Sequence, residues 1–217
     1  EMIGESMLKI FPDNKKQEEA DILEKIRRGE VVTHFQTVRK HKSGRLIDVS
    51  VTISPVYDAD GHIVAASKIA RDITEQVKAM RLSHEYQAIV ESSEDAIFSL
   101  SLDGTVTSWN AGAEHIFGFS TGEILGQPVS ALYDEENPQS EDILKAINNG
   151  ESLEHYKTTR KNKDGFVMNM SETISPLQDQ NGKLIGGSVI ARNITHDMAA
   201  QQLIWKQANY DNLTGPA

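Results

Sequence analysis

The chain is 217 residues long, has a formal net charge of -10 and contains no cysteine. An acidic balance without clustered Lys and Arg excludes a phosphate-neutralising nucleic-acid binder, and the missing thiols exclude disulfides, thiolate metal sites and cysteine nucleophiles or adducts. No apolar run approaches the roughly 20 residues of a membrane helix and the start lacks a signal peptide's basic and apolar regions, so the segment is expected in the cytoplasm, with any membrane anchor outside it.

The chain opens at Met2-Ile3-Gly4-Glu5-Ser6-Met7-Leu8, which matches Ile124-Leu125-Gly126-Gln127-Pro128-Val129-Ser130. A longer match follows. Gly44 and Gly165, Pro55 and Pro176, Gly61 and Gly182, and Thr74 and Thr195 are each 121 positions apart, and Thr-Ile-Ser-Pro is spelled identically in both copies. A repeat of that period is a domain duplication rather than a solenoid. The stretch from about Asp95 to Ile124 has no counterpart in the first copy, which is therefore expected to begin in its middle, short of two strands and a helix, with an open sheet edge.

Glu18 to Arg28 carries Ile22, Leu23 and Ile26 at helical spacing and closes at Gly29; Ile143, Leu144, Ile147 and Gly150 repeat the pattern. Next, Ile47, Val49, Val51 and Ile53 alternate with Asp48, Ser50 and Thr52, the period-2 signature of a strand with one buried face. Lys-Ser-Gly before it and Asp-Ala-Asp-Gly after it are hairpin turn chemistry, as are Lys-Asp-Gly and Asp-Gln-Asn-Gly in the second copy. Each copy thus ends in three antiparallel strands. Glu75 to Ser92 lacks Gly and Pro and carries Val77, Met80, Tyr86, Ile89 and Val90 as a loose apolar stripe, predicting a connecting helix over 75–92 between the modules.

The second module, 93–195, is complete. Ala96, Phe98, Leu100 and Leu102 alternate with Ile97, Ser99 and Ser101, Asp103-Gly104 turns the chain, and Thr105 to Trp109 returns as a strand. Asn110 is the expected N-cap of a short helix, Ala111 to Phe117, that buries Ile116 and Phe117 and stops at Gly118. Ser120-Thr121-Gly122-Glu123 spells a capping box. Two strands, several short helices and three strands define an α+β fold with helices on one face of an antiparallel sheet.

These residues carry a resemblance. Glu91-Ser92-Ser93-Glu94-Asp95-Ala96-Ile97, Asp103-Gly104, Trp109-Asn110, Glu114-His115-Ile116-Phe117-Gly118-Phe119-Ser120, and the two runs ending Arg-(Asp/Asn)-Ile-Thr resemble PAS sensory domains over nearly the whole chain. The resemblance implies a PAS-like five-stranded antiparallel sheet cupping short helices around a small cavity, repeated in two modules joined by a helix. The first module, 1–74, is then the C-terminal part of one domain. Residues 196–217 would form an outgoing signalling helix and the start of an output domain. Ala208-Asn209-Tyr210-Asp211-Asn212-Leu213-Thr214-Gly215 is similar to the segment that opens diguanylate cyclase (GGDEF) domains, which implies such an output in the same polypeptide. The GGDEF loop itself is missing, so no catalytic residue is assigned to this segment, which is expected to regulate rather than catalyse.

No metal motif, nucleophile elbow or phosphate-cradling Gly loop occurs. His34 and His155 share one repeat position, which favours a scaffold or surface-strand role over ligation, and His115 is expected to be exposed or hydrogen-bonded. Haem-binding PAS sensors place a ligating His on the helix corresponding to Glu141–Asn149; none stands there, so haem is disfavoured. A cysteine-adduct flavin is excluded, while a non-covalent small-molecule ligand of unknown identity is compatible with the composition. The pocket candidates are Phe98, Ile116, Phe117, Met168, Met170, Glu172 and Ile190.

Glu172 is the sharpest anomaly, because a carboxylate replaces Val51 in an inward-facing series and an unpaired buried carboxylate costs several kcal/mol. It either hydrogen-bonds a polar ligand or an internal water, or pairs with a nearby Arg or Lys, or sits on a face that is wet in this module. Gly186-Gly187 in place of Ala65-Ala66 makes room for a ligand or permits close packing. Asp72 and Thr74, and Asn193 and Thr195, are the candidate signal couplers, since they stand where a strand passes into a helix and can cap it. Met198, Leu203, Ile204, Trp205 and Ala208 form an apolar stripe through which a homodimer is expected. The competing functions are a ligand-free dimerisation or protein-interaction module and the PAS sensor of a histidine kinase. The latter requires a phosphoacceptor helix where Tyr210-Asp211-Asn212-Leu213-Thr214 stands.

Overall fold

Strict alternation in sequence becomes long paired strands in the computed structural model, which describes residues 3–133, 140–211 and 215–216. The chain divides into two compact units, Glu1–Glu85 and Tyr86–Ala217. In the first, helix α1 (Gln17–Arg27) precedes strands β1 (Val32–Lys40), β2 (Leu46–Tyr57) and β3 (Ile63–Asp72), which pair antiparallel in the order β1-β2-β3. Ile22 and Ile26 of α1 pack on Val49, Val51 and Ile53, the alternating inward face of β2. Helix α2 (Thr74–Glu91) joins the units, and its apolar stripe buries no residue.

The second unit contains β4 (Ala96–Ser101), β5 (Val106–Trp109), α3 (Ala111–Phe117), α4 (Thr121–Ile124), α5 (Ser140–Asn149), β6 (Leu153–Lys161), β7 (Val167–Gln178) and β8 (Leu184–Asn193), followed by α6 (Thr195–Asn209). Its five strands are antiparallel in the order β5-β4-β8-β7-β6. Phe117, Ile124, Ile143 and Ile147 cover one face of this sheet and join Phe98, Leu100, Met170 and Ile174 in a single core. The fold is the α+β PAS-type sheet with flanking helices that the sequence implies. Leu102 lies beyond the end of β4 and is exposed, although the alternation placed it inward. Tyr210–Asp211 pairs with Gly215–Pro216; the rest of the cyclase-like segment, residues 212–214, lies outside the described residues.

The duplication extends to a backbone irregularity. The first strand of each three-stranded set carries a bulge, between Val32 and Phe35 and between Leu153 and Tyr156, and each bulge holds a histidine at positive φ, His34 at 50° and His155 at 51°. Both histidines are exposed. A bulge inserts one residue into a strand, so the inward face continues in phase on either side of it.

Gly186 and Gly187 serve close packing. A Cβ on Gly186 would stand 2.1 Å from the Leu100 carbonyl oxygen, and one on Gly187 would stand 2.5 Å from Ile147 Cγ1. Gly186→Ala is therefore expected to destabilise the second unit by about 1–3 kcal/mol, as overpacking does, seen as an earlier urea midpoint.

The β6–β7 hairpin is tied to α4 by electrostatics. Glu123 accepts hydrogen bonds from the Ser120 backbone N–H and hydroxyl, at 3.0 and 2.9 Å, and pairs with Lys163. The Lys163 hydrogen bond and those from Ser120 lower its carboxyl from 4.5 to about 2. A depressed carboxyl contributes stability above its unfolded value and loses it as pH falls through the folded value. The stability deficit of Glu123→Gln relative to the parent chain should accordingly be full at neutral pH and shrink between 4.5 and about 2, as read by acid titration of the unfolding midpoint.

Candidate functional site

The interior of the second unit is built from the residues that alternation turned inward. Phe98, Trp109 and Phe117 interlock, with ring centroids 5.1, 5.4 and 6.2 Å apart. The Trp109 indole N–H donates to the Phe119 carbonyl at 3.0 Å, so the ring's polar edge is satisfied. Met168 and Met170 lie beside Glu172, which is 0% exposed at the centre of β7. Arg160 on β6, 3% exposed, donates from Nε to Glu172 Oε1 at 2.8 Å and from Nη2 to Oε2 at 2.7 Å. This parallel fork is the strongest geometry open to a carboxylate and a guanidinium. The Tyr133 ring lies 4.8 Å from Arg160 Cζ, and burial raises its phenol above the ordinary tyrosine value.

The sequence-predicted pocket residues therefore divide. Phe98, Phe117, Met168, Met170 and Glu172 come together in the core, where Glu172 is engaged by an arginine. Ile116 is half-buried and lines an open cleft of about 700 Å³ with Glu94, His115 and Arg192. Ile190 has to be corrected: it is 44% exposed on the outer face, opposite Ile97 and Thr173, and Val189 takes the inward position. Arg160 was not named in advance, although Thr158 and Arg160 share the inward parity of β6.

A second cluster fixes the entrance of the unit. Asn110 Oδ1 accepts from Ile97 N at 2.8 Å and Ala113 N at 2.8 Å, while its Nδ2 donates to Val90 O at 2.9 Å and Asp95 O at 3.1 Å. One buried amide thereby ties the end of α2 to β4 and caps α3. A Cβ on Gly112 would stand 2.4 Å from Asp95 O. Arg192 forks Asp95 at 3.0 and 2.8 Å, bringing the last strand to the same point.

The strand-to-helix junctions are built alike in both units. Thr74 N donates to Asp72 Oδ1 at 2.9 Å and Asp48 N donates to Thr74 Oγ1 at 3.0 Å. Thr195 N donates to Asn193 Oδ1 at 3.0 Å and Asn169 N donates to Thr195 Oγ1 at 2.9 Å. The helix start is capped from the last strand, and the threonine hydroxyl accepts from the neighbouring strand. Burial is low at Asp72, and the hydrogen bonds from Thr74 hold its carboxyl below the usual range. Asn193 keeps the cap without the charge and also donates to Met168 Sδ at 3.4 Å.

The chain belongs to the PAS fold family, which matches residues 84–194, and a second PAS-fold match spans residues 1–78. It is 26% identical over 129 residues to the signal transduction histidine-protein kinase AtoS of Escherichia coli, covering 59% of this chain and 21% of that protein. It is 26% identical over 186 residues to the biofilm dispersion protein BdlA of Pseudomonas aeruginosa, covering 82% of this chain and 43% of that protein. Among solved structures, the PAS domain of a protein from Colwellia psychrerythraea aligns at TM-score 0.48 and 24% identity, covering 53% of this chain and 98% of that one. The chain spans under half the length of these curated relatives. The two family matches define two tandem PAS-family domains. No described helix is long and apolar enough to cross a membrane.

Removing one partner of a buried ion pair strands the other, at about 3–5 kcal/mol, whereas replacing both by apolar residues of similar volume is often neutral or stabilising. Glu172→Val alone should lose that amount in chemical denaturation, and Glu172→Val combined with Arg160→Met should recover most of it.

Proposed function

We propose that this segment regulates a signalling protein by relaying a partner's state through its helices, with the second PAS module acting without a resident ligand. The observation that carries this reading is the Arg160–Glu172 fork, which engages the one charged pocket candidate within an aromatic and aliphatic core. Modules at 1–74 and 93–195 would then be linked by the helix at 75–92 and followed by an outgoing helix from 196. The exposed Leu203 and Ile204 on α6 support a homodimer through that helix.

A histidine kinase output is favoured by the likeness to the signal transduction histidine-protein kinase AtoS. A diguanylate cyclase output is the second reading, favoured by the Ala208–Gly215 segment alone. Reading the coding sequence on from Ala217 distinguishes them: a phosphoacceptor-histidine helix supports the first, and a GGDEF loop supports the second. In either case the cytoplasm is the compartment proposed for this segment.

The relay is tested at the junction. Asn193→Ala with Thr195→Ala removes the cap, the strand tie and the Asn193 bond to Met168 Sδ, and leaves every core side chain in place. The expected outcome is faster amide exchange in the first turn of α6 and lost regulation of the attached output, with the core amides of β7 and β8 protected as before. Unchanged regulation would count against the relay.

A further inference from the structure

Ala96 and Ala191 form the last register pair between β4 and β8 at the end of the second unit where α2 arrives and α6 leaves. Asp95 and Arg192 stand one position beyond that pair. There the tie continues through side chains, with Arg192 donating from Nε to Asp95 Oδ1 at 3.0 Å and from Nη2 to Oδ2 at 2.8 Å. Each partner has a second attachment. The Asp95 carbonyl accepts from Asn110 Nδ2 at 3.1 Å, and the same amide donates to the Val90 carbonyl in the last turn of α2 at 2.9 Å. Glu91, the final residue of α2, accepts from Ala111 N at 3.0 Å. On the other side Arg192 precedes Asn193, whose Oδ1 caps α6 through Thr195 N at 3.0 Å. A continuous path therefore runs from the last turn of α2 through Asn110, Asp95 and Arg192 to the first turn of α6.

One link in this path is built to open. The Arg192 side chain is 67% exposed and that of Asp95 25%, against 4% and 0% in the Arg160–Glu172 fork. Ion pairs open to solvent stabilise a fold little and weaken with salt, whereas a buried pair cannot part without stranding a charge. Asp95 and Arg192 also line the open cleft that contains Glu94, His115 and Asn193, so water and ions reach them. When the pair parts, the exit of β8 keeps its ties to β7, where Ile194 N donates to the Asn169 carbonyl at 2.9 Å and Asn169 N donates to Thr195 Oγ1 at 2.9 Å.

We propose that the Asp95–Arg192 fork is a clasp that decides whether α6 follows α2. Closed, it makes the entry of β4 and the exit of β8 one moving part, so a displacement of the last turn of α2 reaches the cap of α6. Open, it leaves α6 fixed to β7 through Asn169 and indifferent to α2. The clasp rests on the relay reading above and names the contact that carries it; Arg192 and Asp95 are positioning residues in it.

The chain has no cysteine, so spin labels can be attached through Gln87→Cys on α2 and Gln201→Cys on α6, both exposed and both in the second unit. At low salt the distance distribution between the labels should be narrow. Arg192→Gln or Asp95→Asn should widen it about twofold and speed amide exchange in the first turn of α6 several-fold, with the core amides of β7 protected as before. The reversed pair, Asp95→Arg with Arg192→Asp, should narrow it again. Salt at about 1 M, where the Debye length is about 3 Å, should widen the distribution in the labelled parent and have no effect in Arg192→Gln. A distribution that is broad in the parent at low salt, that stays narrow in either neutral variant, that responds to salt without Arg192, or that stays broad in a folded reversed pair would overturn the clasp. The salt series on the parent decides the matter if the reversed pair fails to fold. These distances are read with no output attached, so they separate the clasp from the relay, whose own failure is unchanged regulation in the Asn193→Ala, Thr195→Ala chain.

Discussion

A guanidinium buried against a sheet must find oxygen acceptors, and the inner face of the second unit depends on that constraint. Arg160 reaches across from β6 to the middle of β7, where Glu172 pairs through its backbone with Tyr156 on one side and Ala191 on the other. The fork thus sits where three strands meet. It links β6 to β7, and the aromatic triad packs in the same core nearer β5. Desolvating two charges costs free energy that a hydrophobic pair would not, so the gain lies in orientation: a planar fork admits one register and one rotamer. In the first unit Val51 stands in place of Glu172, and Arg39 donates instead through Nη1 to Glu18, Thr37 and the Val38 carbonyl.

Much of this fold was legible because its signals are local. Strict alternation around Val49 and Val51 gave the strands, Asn110 and Gly118 bracketed α3, and Ser120 with Glu123 marked α4. The oddity of Glu172 was legible for the same reason, since a carboxylate interrupts an apolar series. Its partner was not, because Arg160 lies on another strand and only pairing register brings them together. Ile190 was misplaced for a related reason. The run Ser188-Val189-Ile190-Ala191 has adjacent apolar residues that do not declare a parity, and pairing with β4 and β7 decides it. Gly186 and Gly187 could equally have opened space or closed it until Leu100 and Ile147 were seen to press on them.

The two units share more than a sequence pattern. Each repeats the bulge histidine, the inward arginine under an aromatic ring and the capped threonine that ties the last strand's exit to its neighbour. The features kept in both copies are those that hold backbone geometry. The differences, Val51 against Glu172 and Asp72 against Asn193, change charge while leaving the scaffold as it is. The shared scaffold therefore does not depend on which acceptors meet the arginine: Glu172 in the second unit, Glu18, Thr37 and the Val38 carbonyl in the first.

The amide of Asn110 has a consequence of this mechanical kind. It holds the last turn of α2, the start of β4 and the first turn of α3 at once, and Gly112 leaves no gap between α3 and the Asp95 backbone. A joint packed this way has no backlash: a small twist arriving along the final turn of α2 cannot be absorbed as side-chain slack, so α3 and β4 must turn with it or the joint must break.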